Sequence, residues 1–266
     1  MVRLAVLIPA YNERDLLPRL VRRVLDTPPP RAPGGEALER TLVIVDDGST
    51  DGTAEAVKAL GSDEGIVAVL HERNQGKGAA IRTALKAALA EPVAADVVLI
   101  QDADLEYDPA DHAAVLGPIL DGRADAVIGS RFLGLSHRVL YYWHAVANGF
   151  ITRCSNMLTN LNLTDIECCS KAFTRDVGER IRIRENRFGI EPELVARLAH
   201  LWLEDGAPGE GTRGGRAGGA GRRRRARVYE VAVSYAGRTY EEGKKITWRD
   251  GVRALWCIAK YNLWSR

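Results

Sequence analysis

The sequence predicts an α/β fold in which a mostly parallel central sheet carries helices on both faces. Two observations predict it. Short apolar runs alternate four times with stretches of helical periodicity. The polar clusters Tyr11-Asn12-Glu13, Asp46-Asp47-Gly48-Ser49, His71 to Gly78 and Gln101-Asp102-Ala103-Asp104 each follow an apolar run. They therefore share the rim outside the carboxyl ends of the strands, where open α/β sheets bind ligands.

Leu4 to Ile8 reads as a buried strand, and Asp15 to Leu25 as an amphipathic helix with Leu16, Leu20 and Val24 on one face. Thr27-Pro28-Pro29-Pro30 stops that helix, and the chain to Gly35 is a loop. Thr41 to Val45 is the second strand, and the helix after it runs through about Leu60 with Asp51 as a candidate cap. Ile66 to Leu70, the Ala-rich helix Lys77 to Leu89, Val97 to Ile100, a helix around Asp111 to Leu120, and Ala126 to Ile128 complete the alternation. From Gly206 to Arg227 the composition turns to Gly, Arg and Ala without periodicity, which predicts a flexible loop ending in Arg222 to Arg225. A strand follows over Val228 to Val233. Trp248 to Trp264 places Val252, Leu255, Trp256, Ala259 and Leu263 at helical spacing, either packed on the body or lying on a membrane surface.

At 266 residues the chain is long enough to bury a substantial core. A hydrophobic content of 46% with 27% charged residues excludes wholesale disorder, and a net charge of +2 argues against a general nucleic-acid binder. Cys154, Cys168, Cys169 and Cys257 have neither disulfide-scaffold density nor CxxC spacing, so they fit reduced thiols, and no partner motif supports a catalytic one. The apolar run before Pro9 is too short for a signal-peptide core, and no apolar stretch approaches the roughly 18 to 20 residues that span a bilayer. The expected location is the cytoplasm, with the inner face of the plasma membrane as a surface the protein could touch.

Asp102 and Asp104 follow the run Val97-Val98-Leu99-Ile100, so a buried strand ends by projecting two carboxylates. Adjacent carboxylates repel and raise one another's pKa unless a cation or donors neutralise them. Hard oxygen ligands suit Mg2+ or Mn2+, with substrate phosphates completing the shell, and Glu106 offers a third oxygen. Aspartate is also common where strands turn into loops. The pair's place among four polar strand ends favours the site over the turn.

VLIPAYNER, VDDGSTDGT, NQGKGAAIR, QDADLEYDP and GSRF occur in order between residues 3 and 132. As a set they resemble family 2 of the inverting glycosyltransferases, whose fold is GT-A. TDIECCSKAF, FGIEPELVARLA and YEVAVSYAGRTYEEGKK are similar to the polyprenyl-phosphate (dolichyl-phosphate) mannosyl- and glucosyltransferase branch. The resemblance implies one GT-A domain over residues 1–266, with a nucleotide-sugar half (1–132), an acceptor-side half (133–205), the Gly/Arg-rich loop (206–227) and a C-terminal strand, phosphate-binding loop and helix (228–266). It implies that Pro9, Tyr11, Glu13, Val45 and Asp47 form the base and ribose pocket, and that Asp102, Asp104 and Glu106 bind the metal. Ala103 then contacts the nucleotide through its backbone. Arg131, Arg238 and Lys244 match basic positions that contact phosphates, and Asp165 and Lys171 fall on the acceptor side. Lys77, between Gly76 and Gly78 at a helix start, fits either an anion contact or a tight turn. Glu106 stands where many relatives carry Gln.

The implied reaction moves a hexose from a nucleotide-sugar donor of the GDP-mannose or UDP-glucose type to an acceptor, with Asp104, Arg131 and Asp165 as the residues nearest the chemistry. A polyprenyl phosphate is already anionic and needs no strong base, whereas an alcohol acceptor needs one, for which Asp165, Glu191 and Glu193 are candidates. Relatives of this branch often continue into transmembrane helices, so a soluble alcohol acceptor, in a natural product or glycan, stays open. Two rivals are weaker. A sugar nucleotidyltransferase would carry a Gly-rich phosphate loop where Pro9-Ala10-Tyr11-Asn12-Glu13 stands, and a nucleic-acid or phosphate-binding protein would not need the acidic cluster.

Overall fold

The computed structural model describes residues 1–134, 138, 141–204, 223–238, 241 and 248–264. The first half alternates as the periodicity predicts: β1 (Arg3–Ala10), α1 (Leu17–Asp26), β2 (Glu39–Asp46), α2 (Thr53–Leu60), β3 (Ile66–Leu70), α3 (Lys77–Leu89), β4 (Val97–Ile100), α4 (His112–Leu120) and β5 (Ala126–Ser130). The second half adds α5 (Tyr142–Thr159), β6 (Lys171–Thr174), α6 (Arg175–Arg180), α7 (Ile190–His200), β7 (Trp202–Glu204), β8 (Arg223–Arg225), β9 (Val228–Ala232) and α8 (Trp248–Ala259). A π-helical stretch, Lys260–Trp264, continues α8.

Seven strands form one sheet in the order β3-β2-β1-β4-β6-β5-β9. All run the same way except β6, which is antiparallel to both β4 and β5. The reversal matters for the site. A reversed strand offers its amino end to the rim, and Lys171 at the start of β6 pairs with Ile100 at the end of β4. The loop entering β6 thus joins the loops leaving the parallel strands.

Burial on both faces explains the unbroken apolar runs: Val6, Leu7, Ile8, Val43, Ile44, Val98 and Leu99 are all fully buried. The small side chains Ala80, Ala84 and Ala88 repeat every four residues on the buried side of α3, which packs on β1 and β2. α1 begins two residues later than its periodicity suggests, because the Glu13 carbonyl accepts the Leu17 amide at 2.8 Å and Pro18 fits the first turn. At α2 the N-cap is Gly52 at φ +98°, while Asp51 reaches the Thr53 amide (3.0 Å) and hydroxyl (2.6 Å) from one position outside.

Residues 206–222 of the expected Gly/Arg-rich loop lie outside the described residues. Its last part is ordered differently from that expectation: Arg223–Arg225 is a strand paired antiparallel with β7. Charge rather than apolar pattern holds it. Arg224 and Arg227 both bind buried Asp125, with Nη2 of each 2.9 and 3.1 Å from its Oδ1. Burial alone would push the Asp125 carboxyl up, but these hydrogen bonds hold it at about 2. Of the two placements expected for the C-terminal helix, the structure shows one side packed on the body, where it buries Ala254, Cys257, Ile258 and Tyr261. Among the described residues no helix is long and apolar enough to cross a membrane.

Candidate active site

The loops after β1 and β2 are sewn together at the rim. Asn12, in the left-handed region at φ 51°, donates its amide to Ser49 Oγ (2.9 Å) and accepts the Thr50 amide at Oδ1 (2.9 Å). The Glu13 amide donates to Thr53 Oγ1 at 2.9 Å. Pro9 and Val45 are register partners on the adjacent strands, and both are buried. They floor this corner, with half-buried Tyr11 beside them in sequence.

Asp47 is occupied differently from the pocket role the resemblance implies. Its Oδ1 accepts the Gln75 amide (3.0 Å) and meets His71 Nδ1 (2.8 Å), while Oδ2 accepts the Gly76 amide (2.7 Å). Both oxygens serve the loop between β3 and α3. The two glycines there have a packing reason too. A Cβ on Gly76 would lie 2.3 Å from the Asn186 carbonyl oxygen, and one on Gly78 would lie 2.2 Å from that of Glu185. They admit a neighbouring backbone.

The end of β4 carries the acidic cluster. Asp102 Oδ2 accepts from Lys77 Nζ at 2.9 Å, and Lys77 also pairs with Glu191 at 3.2 Å. Leu105 takes φ 62°, an uncommon conformation for a branched side chain, and this turn lets Asp104 Oδ1 accept the Glu106 amide at 3.1 Å. Ala103 between the aspartates is buried. Arg238 then reaches in from beyond β9 and pairs with Asp104 (2.9 Å), Glu106 (3.2 Å) and Glu13 (3.3 Å). Glu106 also accepts the Tyr235 hydroxyl at 2.8 Å and the Arg238 amide at 2.9 Å, so it clasps the returning chain. Burial first, then the charges of Asp102 and Glu106, push the Asp104 carboxyl up to about 7 even with Arg238 beside it.

Hard carboxylate oxygens crowded enough to hold one another's protons fit a divalent cation of the Mg2+ or Mn2+ kind. Among the described residues, however, no three His, Cys, Asp or Glu side chains already stand as a metal-holding group. The guanidinium of Arg238 supplies the positive charge at Asp104 instead.

The acceptor-side residues meet across the end of β5. Arg131 binds Asp165 through both nitrogens, Nε at 2.6 Å and Nη2 at 2.8 Å, and lies 5.1 Å from the Tyr235 ring centre. Asn148 of α5 donates to Asp165 Oδ1 (3.3 Å) and accepts from Arg131 Nη2 (3.4 Å). Lys171 is buried and donates to Glu191 and to the carbonyls of Cys168 and Ile166. Of the base candidates, Asp165 is taken up by Arg131, and Glu191 is paired with two lysines. Glu193 accepts the amides of Arg184 and Glu185 (3.0 and 2.7 Å), a loop-holding role. Burial first, then the charge of Asp165, pushes the Cys168 thiol up to about 12, which disfavours the thiolate there. Lys244 lies outside the described residues.

Three residues of this region are not singled out by the sequence: Asn148, Tyr235 and Glu167. The Glu167 Oε1 is buried and has no hydrogen-bond partner among the described residues. Burial first, then the charge of Glu191, pushes its carboxyl up to about 7. The only sequence signal for it is its place inside TDIECCSKAF.

Comparison with known proteins gives one family and consistent relatives. The model described as Glycosyl transferase family 2 matches residues 5–182. The chain is 31% identical over 194 residues to glycosyltransferase AglJ of Haloferax volcanii, a match covering 73% of this chain and 57% of the relative. It is 36% identical over 202 residues to the undecaprenyl-phosphate 4-deoxy-4-formamido-L-arabinose transferase of Pseudomonas fluorescens, covering 75% and 55%. It is 26% identical over 214 residues to the UDP-N-acetylglucosamine–dolichyl-phosphate N-acetylglucosaminyltransferase of Methanococcus voltae, covering 74% and 80%. The chain thus spans little more than half the length of the first two, 57% and 55%. In architecture it is similar to glucosyl-3-phosphoglycerate synthase from Mycobacterium tuberculosis, solved with Mn2+, UDP and glucosyl-3-phosphoglycerate. The TM-score is 0.63 at 17% identity, over 98% of this chain and 80% of that one. The predicted GT-A sheet is therefore the observed one.

Proposed function

The chain belongs to glycosyl transferase family 2, and from that membership we propose that it moves a hexose from a nucleotide-sugar donor to a polyprenyl phosphate with Mg2+ or Mn2+ bound. The observation that carries this reading is the meeting of Glu13, Asp104, Glu106 and Arg238 in one ion-pair cluster at the carboxyl end of the sheet. Relatives named for undecaprenyl-phosphate and dolichyl-phosphate support the acceptor. The donor in this reading is of the GDP-mannose or UDP-glucose type.

In this reading Asp102, Asp104 and Glu106 hold the cation, which when bound supplies positive charge to the diphosphate. Pro9, Tyr11, Glu13, Val45 and the backbone of Ala103 bound the base and ribose, and Asp47 acts one layer out by fixing the turn before Lys77. Arg238 turns from the carboxylates to the diphosphate as that anion arrives, and Lys244 adds a second positive charge for it. Arg131 faces the acceptor phosphate, and Asp165 fixes its fork rather than taking a proton. An oxygen of the acceptor phosphate forms a bond to the anomeric carbon as the bond to the diphosphate oxygen breaks, with inversion. The electron pair leaves on the nucleoside diphosphate. Residues 1–132 then act as the donor half and 133–205 as the acceptor half of one domain, working at the cytoplasmic face of a membrane.

A second reading, transfer to a soluble alcohol, is favoured by Glu167. Its unpartnered oxygen and near-neutral carboxyl suit a general base, which a phosphate acceptor does not need. The test is a matrix of GDP-mannose, UDP-glucose and UDP-GlcNAc against polyprenyl phosphate and alcohols, with and without Mn2+, scored by nucleoside diphosphate release. One donor should react with polyprenyl phosphate, and EDTA or Asp104→Ala should abolish it. Activity surviving both would overturn the metal reading. Glu167→Gln should leave transfer to the phosphate intact; glycosylation of an alcohol alone, lost in this variant, would establish the second reading in its place.

A further inference from the structure

α5 turns a mostly hydroxyl-bearing side to the protein and an apolar side away from it. It buries Ile151, Thr152, Ser155 and Thr159 against the body. At about 3.6 residues per turn, Trp143, Val146, Phe150 and Met157 align on the opposite side. They are 74%, 43%, 56% and 75% exposed. α8 lies against α5, where the Cβ position of Gly251 is 3.9 Å from Ile151 Cδ1, and both helices rest on α7. α8 also turns large apolar residues outward, burying Ala254, Cys257 and Ile258 while Val252 and Trp256 are 59% and 54% exposed. Trp256 stacks on Trp264, with ring centres 6.1 Å apart. Single exposed apolar residues need no explanation, but aligned rows of large ones on two adjacent helices do.

We propose that the outer faces of α5 and α8 together lie on an anionic lipid bilayer at headgroup depth; this rests on the lipid-phosphate reading above and names the surface that would serve it. The composition suits that occupant, since Trp and Tyr prefer the membrane interface, and Tyr141 and Tyr142 open α5. Charge agrees. α5 carries exposed Arg153 and no acidic residue, and the segment from Trp248 to Trp264 carries Arg249, Arg253 and Lys260 against Asp250, with Arg253 and Lys260 sharing the one carboxylate of Glu185. Position agrees as well. Asn148 on the inner side of α5 bonds both Arg131 and Asp165, so one helix carries the apolar row outside and backs the acceptor-phosphate residues inside.

The test uses the full chain and phosphatidylcholine vesicles with or without phosphatidylglycerol. The chain should sediment with the anionic vesicles, less so at high salt, and its Trp emission should be quenched by lipids brominated near the headgroup. Trp143→Gln with Phe150→Gln should weaken partition by about tenfold or more. Transfer to polyprenyl phosphate in detergent should stay unchanged, because neither residue touches the site. Trp143→Phe, which keeps the packing, should retain binding and lose only its share of the quenching. Equal partition of parent and double variant overturns the proposal. So does a parent that ignores vesicles and forms a dimer which the double variant abolishes. Vesicle binding without any transfer in detergent would instead overturn the acceptor reading and leave the docking surface standing.

Discussion

Arg238 binds carboxylates contributed by two distant parts of the chain, and a divalent cation would compete with it for the same Asp104 oxygen. Removing the guanidinium therefore has opposite effects on two ligands. Arg238→Gln should bind Mn2+ several-fold more tightly than the parent when no nucleotide is present, and should bind nucleoside diphosphate more weakly. Titration calorimetry with Mn2+ alone, then with GDP or UDP, reads both signs; equal Mn2+ affinity in parent and variant would remove Arg238 as the competitor. At this scale the acidic pair and Glu13 are legible in the sequence, because each ends a recognisable strand. The bidentate hold of Asp165 on Arg131, the capture of Gly76 by Asp47 and the isolation of Glu167 are not. Each depends on which group the fold brings opposite, and pattern along the chain carries no record of that.

At the scale of elements, β1 to β5 with their helices, and later β9 and α8, are legible, whereas β6, β7, β8 and α5 are not. The legible strands are apolar or alternating runs and the legible helices show their period, and up to β5 the structure shifts their ends by only one or two positions. β6, β7 and β8 have four, three and three residues, too few for an alternation to register, and none is an unbroken apolar run as four-residue β4 is. α5 hides for a different reason: its buried side is mostly Thr and Ser and its large apolar residues lie on the exposed side, the reverse of the pattern that identifies a surface helix. The start of α3 offers a sharp packing test. A methyl on Gly78 cannot coexist with the Glu185 carbonyl 2.2 Å away, so Gly78→Ala must push back the 185–186 backbone. The expected loss is about 1–3 kcal/mol, or a Tm lower by about 2–4 °C per kcal/mol for a chain of this size. A melt unchanged from the parent would show that this backbone yields freely.

For the whole molecule, ionisation predicts a dome of stability against pH in the metal-free protein. Asp104 and Glu167 have carboxyls raised to about 7, so the folded state holds protons that the unfolded chain releases at its ordinary, lower values. Stability should rise as pH falls from about 8 towards 5. Asp125 and Glu185 act with the opposite sign. Burial would raise Glu185, but hydrogen bonds from Arg253, Tyr261 and Lys260 hold it at about 2. The stability these two contribute is complete above their unfolded values near 4 and is lost as pH falls towards 2. Thermal melts in EDTA between pH 2 and 8 check both limbs, and a flat profile from pH 8 to 5 would contradict the first.

The link between Glu13 and Arg238 joins residues 225 positions apart. Order of synthesis then becomes order of assembly. A nascent chain that has reached Arg182, where the family match stops, already has β1 to β6 and the acidic turn after β4. It lacks β9, so buried β5 has one edge unpaired, and it lacks the guanidinium that offsets Glu13, Asp104 and Glu106. Until residues 228–238 have left the ribosome, Glu13, Asp104 and Glu106 lack this counter-charge and stand beside an open strand. Residues 228–238 bring the missing strand and the missing cation in one stretch of about ten residues, so the step that pairs the open edge of β5 also supplies the counter-charge to Asp104.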